Sequence, residues 1–323
     1  MNTLDAYEQE ISYQVESIPM LMQGMKGRWL SNEEQLHALI TGSGDSFAAA
    51  MLAERLSGFR ILCIDPFELS SMLDKYHYRR MLYIVSVSGS TRAALDAMDR
   101  AHRHGIKVVA ITANAESKLA RGADSTILLR FKRTGLLTAG SIGFTASLVA
   151  SASLAVKMDD VSIDVKGLFL KASDDARDIM LAEHNYIVGD VLTYPLAMYG
   201  SAKVYEVLGA RASYCRLEQF CHMEVFSLKE GDKVLILSSE DKAKMLVDGL
   251  RSNGINSIQL EYSKCEDRTS NSSIGNGNED LSKILYYTFL LQLIVLNNAK
   301  RLGLKECAFI GHRLLGLSSS LIY

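Results

Sequence analysis

Short apolar runs alternate with longer stretches of helical period along the whole chain. In "LHALITGSGDSFAAAMLAERL", the run Leu36–Ile40 predicts a strand, Thr41–Asp45 a loop, and the residues from Ser46 a helix. "RILCID" reads as a second strand, with a helix near 67–75, and "RMLYIVSVS" as a third. "STRAALDAMDRAHRHG" is a helix stopped by Gly105. "IKVVAITAN" and "STILLRF" give two more strands around a short helix in "SKLARGA", and an uncharged helix from about 140 to 157 closes the series. At the amino end, Leu4, Ile11, Val15 and Ile18 mark an amphipathic helix in which Pro19 is expected to end a turn. Strands alternating with helices predict an α/β fold, a parallel sheet with helices on both faces.

The order then repeats. "YIVGDVLTYPLAMYGSAKVYEVLG" echoes the first strand, loop and helix, and "DKVLILSSEDKAKMLVDGLRSNG" echoes the third strand and its helix. "INSIQLEYS" matches "IKVVAITAN", and "LSKILYYTFLLQLIVLNNAKRLG" matches the uncharged helix. An internal duplication follows, with its boundary near 158–175. The polar stretch 264–280 reads as a mobile surface loop of the second copy.

Composition narrows the function classes. The 323 residues are 48% apolar and 22% charged, with a net charge of −2. That is ordinary globular protein, with no basic footprint for nucleic acid and no bias toward a membrane surface. Thr134–Val156 lacks charge over a length that could span a bilayer. Its Ser, Thr, Ala and Gly content fits a buried helix better. The acidic, amphipathic amino terminus does not read as a signal peptide. The five cysteines show neither CxxC pairing nor zinc spacing, so they fit a reducing cytoplasm and no metal site.

The candidate chemistry starts at "YIVSVSGSTRAAL" (83–95), where Ser86, Ser88, Ser90 and Thr91 crowd a strand-to-helix turn. Ligands of doubly wound sheets bind at the carboxyl ends of strands, and a helix amino terminus attracts anions. Ser86, Ser88 and Thr91 would donate hydroxyls, and Gly89 would let the backbone come close. "TGSGDS" (41–46), with Gly44 and Ser46, holds the equivalent place on the first strand, and two such turns side by side make a phosphate cup. One capping residue would suffice for the helix alone. In the second copy, "LSSEDK" puts Glu240 and Asp241 where the anion would lie, which predicts one phosphate site per chain. Tyr199, Lys203 and Glu206, at i, i+4 and i+7, share a helix face. A carboxylate there is either a proton-transfer base or half of a surface salt bridge.

"TGSGDSFAA" and "SVSGSTRAAL" resemble the two phosphate-binding segments of the sugar isomerase (SIS) domain family. "YIVGDVLTYPLAMYGSAKVYE" is similar to the isomerase half of glucosamine-6-phosphate synthase. The resemblance implies two tandem SIS domains, each a five-stranded parallel sheet of flavodoxin type, at 31–160 and 175–305. A helical linker (1–30) would precede them and a tail (306–323) follow, without the synthase's glutaminase domain. It assigns phosphate binding to Ser46, Ser86, Ser88 and Thr91 and a place in the sugar pocket to Ser141. It makes Glu206 the proton-transfer base, with Lys203 beside it. It gives ring opening to His222, reaching the site of a neighbouring subunit in a homodimer. No cofactor is implied. The expected activity is isomerisation or deamination of a sugar phosphate at C1–C2, as in glucosamine-6-phosphate deaminases. The alternatives are a sugar-phosphate-binding regulator without catalysis, and a phosphoglucose/phosphomannose isomerase.

The chain departs from the family pattern at several places. Met223 and Glu224 follow His222 in place of Gly-Pro. Gly140, Ser141 and Ile142 replace Ser-Thr-Lys. The tail "GHRLLGLSSSLIY" keeps Arg313 but has no lysine after Lys305, with Leu317 near that place. A remodelled sugar pocket, or a lost reaction, is the expected consequence.

Overall fold

The computed structural model describes residues 1–76, 78–262 and 277–323. In chain order the first half contains α1 (Thr3–Gly24), α2 (Asn32–Leu36), β1 (Ala38–Gly42), α3 (Asp45–Leu56), β2 (Leu62–Cys63) and α4 (Pro66–Met72). There follow β3 (Met81–Val85), α5 (Arg92–Arg103), β4 (Lys107–Thr112), α6 (Lys118–Gly122), β5 (Ser125–Leu128) and α7 (Ile142–Ala152). The second half contains α8 (Val165–Asp175), β6 (His184–Gly189), α9 (Tyr194–Lys203), β7 (Arg211–Arg216), α10 (Leu217–His222) and β8 (Lys233–Leu237). It ends with α11 (Asp241–Ser252), β9 (Asn256–Gln259), α12 (Gly277–Arg301) and α13 (Leu315–Ile322). The described chain forms two compact units. One holds 12–135, 140–163 and 312–323, and the other holds 1–11, 136–139 and 164–311.

The first unit carries a parallel sheet ordered β2-β1-β3-β4-β5, the doubly wound order of flavodoxin type. β1 is buried at every residue and β4 at all but its first, as parallel strands covered on both faces must be. On one face, Leu39, Leu82, Ile84 and Val108 pack against Ala94, Ala97, Met98 and Ala101 of α5. On the other, α3 packs against α7, whose eleven residues are all buried except Gly143. The uncharged stretch 134–156 thus contains a core helix of about three turns, Ile142–Ala152. No helix among the described residues is long and apolar enough to cross a membrane.

The second unit repeats the order as β7-β6-β8-β9, also parallel. Val188, Val234 and Ile236 pack against Ala243, Val247 and Leu250 of α11 and against Phe220 of α10. This sheet has four strands among the described residues, where five were expected; most of the connection from β9 to α12 lies outside those residues. Most of the expected loop 264–280 lies outside the described residues, and its last four form the first turn of α12.

The duplication extends to backbone detail. β1 and β6 each end in a glycine at which the following helix presses on the strand. A Cβ on Gly42 would lie 2.7 Å from the Ser46 carbonyl, and one on Gly189 would lie 2.5 Å from the Tyr194 nitrogen. At the amino end, α1 continues through Pro19, contrary to expectation. Ile18, Leu21, Met22 and Met25 are all buried, and their packing outweighs the hydrogen bond that proline forfeits.

Candidate active site

Gly42 of β1 pairs with Val85 of β3, so the turns that follow them emerge side by side at the carboxyl edge of the first sheet. In the first turn, α3 starts at Asp45, one residue earlier than the pattern predicts, which puts Ser46 in the helix's opening turn. Gly44 stands before it at φ +56° and ψ −126°, a conformation open to glycine alone, and no side chain caps the helix.

The second turn is held from within. The Ser86 hydroxyl, nearly buried, lies 3.3 Å from the Thr91 hydroxyl and accepts the Gly89 N–H at 3.2 Å. Ser90 is exposed and donates both its hydroxyl (3.0 Å) and its N–H (3.4 Å) to the Ser88 hydroxyl. Gly89 adopts φ +64°, and a Cβ there would lie 2.2 Å from Ser117 Oγ, so the turn is wedged against the start of α6. Leu119 N–H donates to the Gly89 carbonyl at 3.1 Å and completes the clamp.

Thr91 occupies the N-cap place of α5 but does not cap it. Its hydroxyl turns to Ser86 instead. The amides of Arg92, Ala93 and Ala94 find no acceptor among the described residues. A turn with four hydroxyl-bearing residues therefore leaves the helix start open, which routine capping does not explain. The start of α7 stands beside this turn: a Cβ on Gly143 would lie 3.6 Å from both Val87 methyls. Ser141, at the N-cap of α7 and 1% exposed, has a buried hydroxyl with no partner among the described residues. Sequence reasoning missed Arg92, whose guanidinium donates to the Ser320 carbonyl of α13 at 3.0 Å.

In the second unit the equivalent turns carry acids, and the one after β6 is bonded to its own. The Asp190 carboxylate accepts the N–H groups of Leu192 and Thr193 at 3.1 Å each and pairs with Lys283 at 3.4 Å. Glu240 is the N-cap residue of α11, and Asp241 opens the helix.

Lys203 and Glu206 also lie in this unit and form an ion pair. Lys203 is completely buried, so this is not the surface bridge that the spacing alone allows. Its ammonium also lies 5.1 Å from the centre of the Tyr199 ring, which realises the i, i+4, i+7 stripe. The Tyr199 hydroxyl accepts from Gln292 at 2.9 Å. Glu206 is a third exposed and sits in a π-helical turn, Val204–Leu208, that ends at Gly209 with φ +68°. The amides of Ala308 and Phe309 donate to the carbonyls of Val207 and Glu206.

His222, at the end of α10, is mostly exposed and bonds to Glu218 at 3.1 Å. Glu218 also pairs with Lys242, and these two contacts, Lys242's first, hold its carboxyl below the ordinary range. No hydrogen bond or ion pair joins His222 to Lys203 or Glu206 among the described residues. No three His, Cys, Asp or Glu side chains among the described residues are grouped as metal ligands would be.

The two sheets and their helices make this a doubled SIS fold, the fold of phosphosugar isomerases and deaminases. Glucosamine-6-phosphate deaminase from Thermotoga maritima superposes with a TM-score of 0.69 at 19% identity, over 93% of this chain and 96% of that one. The C-terminal domain of glucosamine-fructose-6-phosphate aminotransferase from Francisella tularensis gives 0.66 at 15%, over 93% and 98%. Tagatose-6-phosphate ketose/aldose isomerase from Escherichia coli gives 0.64 at 14%, over 94% and 92%. In sequence, glutamine–fructose-6-phosphate aminotransferase (isomerizing) from Sulfurisphaera tokodaii is 24% identical over 185 residues, 53% of this chain and 31% of the relative. The match to the Caldanaerobacter subterraneus protein of the same description covers 30% of that relative, so the chain spans about a third of the length of the curated relatives it matches. No family model matches the chain.

Proposed function

We propose that this chain is a sugar-phosphate enzyme that isomerises or deaminates its substrate at C1–C2. The observation that carries the proposal is the turn Ser86–Thr91, where the N-cap residue leaves its helix uncapped and shares its hydroxyl with Ser86. Such a turn offers an anion hydroxyls from Ser86, Ser88 and Thr91, the open amides of α5 and the dipole behind them. Ser46 and Gly44 supply the neighbouring half of the cup, and Ser141 the polar contact for the sugar.

Glu206 acts as the base. It takes the proton from C2 of the aldose form and returns it to C1 of the enediol, reversing the order for the ketose. The ion pair with Lys203 uses one carboxylate oxygen and fixes the side chain, so the other oxygen stays available for the proton. His222 has an exposed place suited to ring opening, and a second copy of the chain in a homodimer receives it. This chemistry runs on side chains and needs no cofactor. A second reading is a regulator that binds the sugar phosphate without turnover; Leu317, near the place of the family's tail lysine, favours it.

The test is incubation with glucosamine 6-phosphate and with fructose 6-phosphate while ammonia and aldose are measured. Turnover that is lost in Glu206→Gln, with ligand affinity kept, supports the enzyme. Binding without turnover supports the regulator. Unchanged turnover in Glu206→Gln removes the base, and unchanged affinity in Ser86→Ala and Thr91→Ala removes the cup.

A further inference from the structure

The segment that follows β5 at the carboxyl edge of the first sheet reads "RFKR", Arg130 to Arg133. It carries three cations in four residues, in a chain whose net charge is −2. None of the three has a carboxylate within ion-pair distance among the described residues. Two are held in place by rings. The Lys132 ammonium lies 4.3 Å from the centre of Tyr13, and the Arg133 guanidinium lies 5.7 Å from that of Phe131.

Phe131 ties this segment to the cup. A Cβ on Gly143 would lie 3.8 Å from the Phe131 ring and 3.6 Å from Val87, so the ring, the start of α7 and the serine-rich turn meet at one place. Ser141, with its unpartnered buried hydroxyl, begins that same helix. β4 separates β3 from β5. Two strand spacings put the basic segment about 10 Å along the sheet edge from the turn after β3. An extended six-carbon chain between a phosphate and a terminal carboxylate spans roughly 8 Å, at ~1.2 Å per bond.

We infer that the substrate carries a second anionic group, a carboxylate at the end remote from the phosphate, received by Arg130, Lys132 and Arg133. The inference rests on the phosphosugar reading above and narrows its substrate class. A neutral sugar phosphate would leave three cations beside the cup without an anion. A carboxylate would gain charge-assisted hydrogen bonds from a guanidinium already oriented by its ring.

The test compares two probes that differ at one end, 6-phosphogluconate and glucitol 6-phosphate, by calorimetric titration of the full chain. The wild type should bind the carboxylate probe about tenfold tighter or more, the usual scale of one charge-assisted bond. In Arg130→Gln/Lys132→Gln/Arg133→Gln the preference should vanish while glucitol 6-phosphate binds as before. The single variants Arg130→Gln and Arg133→Gln, which keep the Lys132–Tyr13 contact, should each lose part of it and cover the case of a triple variant that does not fold. Equal affinity for both probes in the wild type, or a preference that survives in the variants, overturns the inference and leaves the phosphosugar reading intact. Failure of both probes to bind overturns that reading itself, and this inference with it.

Discussion

Replacing Gly89 by alanine tests the geometry of the serine-rich turn. The new Cβ would stand 2.2 Å from Ser117 Oγ and 2.4 Å from Ser117 Cβ, in a backbone at φ +64°. The left-handed conformation costs an L-residue about 1–2 kcal/mol. Ser117 is buried and caps α6 through the Ala120 N–H at 3.1 Å, so it cannot yield freely. Overpacking there adds about 1–3 kcal/mol. Stiffening of the unfolded chain returns about 0.4–1 kcal/mol, which leaves a net loss of about 1–5 kcal/mol. Gly105 isolates the backbone part: it has φ +70° and nothing within 4 Å of its would-be Cβ. Gly105→Ala should therefore cost about 1 kcal/mol. Urea unfolding followed by far-ultraviolet circular dichroism measures both. Adding Ser117→Gly to the Gly89→Ala chain removes the steric part and should recover about 1–3 kcal/mol, less the lost cap. If Gly89→Ala costs no more than Gly105→Ala, the wedge against α6 is not what fixes this turn.

Three further outcomes follow from the same coordinates. The Asp124 carboxyl is held below its ordinary value of 3.8, first by the Val108 N–H and then by His102. A lowered carboxyl contributes stability in full above that value and loses it as pH falls through the folded one. Asp124→Asn should therefore flatten the acid limb of the stability profile between pH 4 and pH 2, and an unchanged limb refutes the assignment. The Cys215 thiol is pushed up to about 12, first by burial and then by Glu224. Iodoacetamide at about pH 8 should spare it in the folded chain and label it in urea, as peptide mapping would show; equal labelling in both states contradicts its burial. Glu206→Ala strips a buried ammonium of its carboxylate. With Glu206 a third exposed, the loss should be about 1–3 kcal/mol, and Lys203→Met in the same chain should restore part of it. A neutral Glu206→Ala in urea unfolding would show that the pair carries no stability.

Much of the fold was legible because its signals are local. "RMLYIVSVS" and "IKVVAITAN" are apolar runs bounded by turn residues, and they became β3 and β4 with ends shifted by one to three residues. β7 was not legible: "RASYCR" buries Cys215 alone, because among the described residues the strand lies at a sheet edge and pairs only with β6. Pro19 misled because proline's local cost is visible in sequence, while the packing around Ile18 and Leu21 that offsets it is not. At the site, the i, i+3 spacing of Lys203 and Glu206 allowed their contact. It could not show that Lys203 is buried, since its surroundings come from distant segments such as α12. The uncapped Thr91 was equally hidden, because a sequence shows that a residue can cap a helix but not which way its hydroxyl turns.

The π-helical turn at Val204–Leu208 binds together parts of the chain that are a hundred residues apart. Glu206 and Val207 stand in its last turn, where the carbonyls have no partner within the helix, and the amides of Phe309 and Ala308 take them. The backbone of Glu206 is thus one rung of a short ladder with the outgoing segment after α12. Cutting the chain before Ala308 would strand both acceptors and loosen the end of this turn. A loosened end would leave the Glu206 carboxylate held in its direction by Lys203 alone. The aim of this side chain is therefore written in two places, and an alteration near Phe309 could disturb it without touching any residue that meets the substrate.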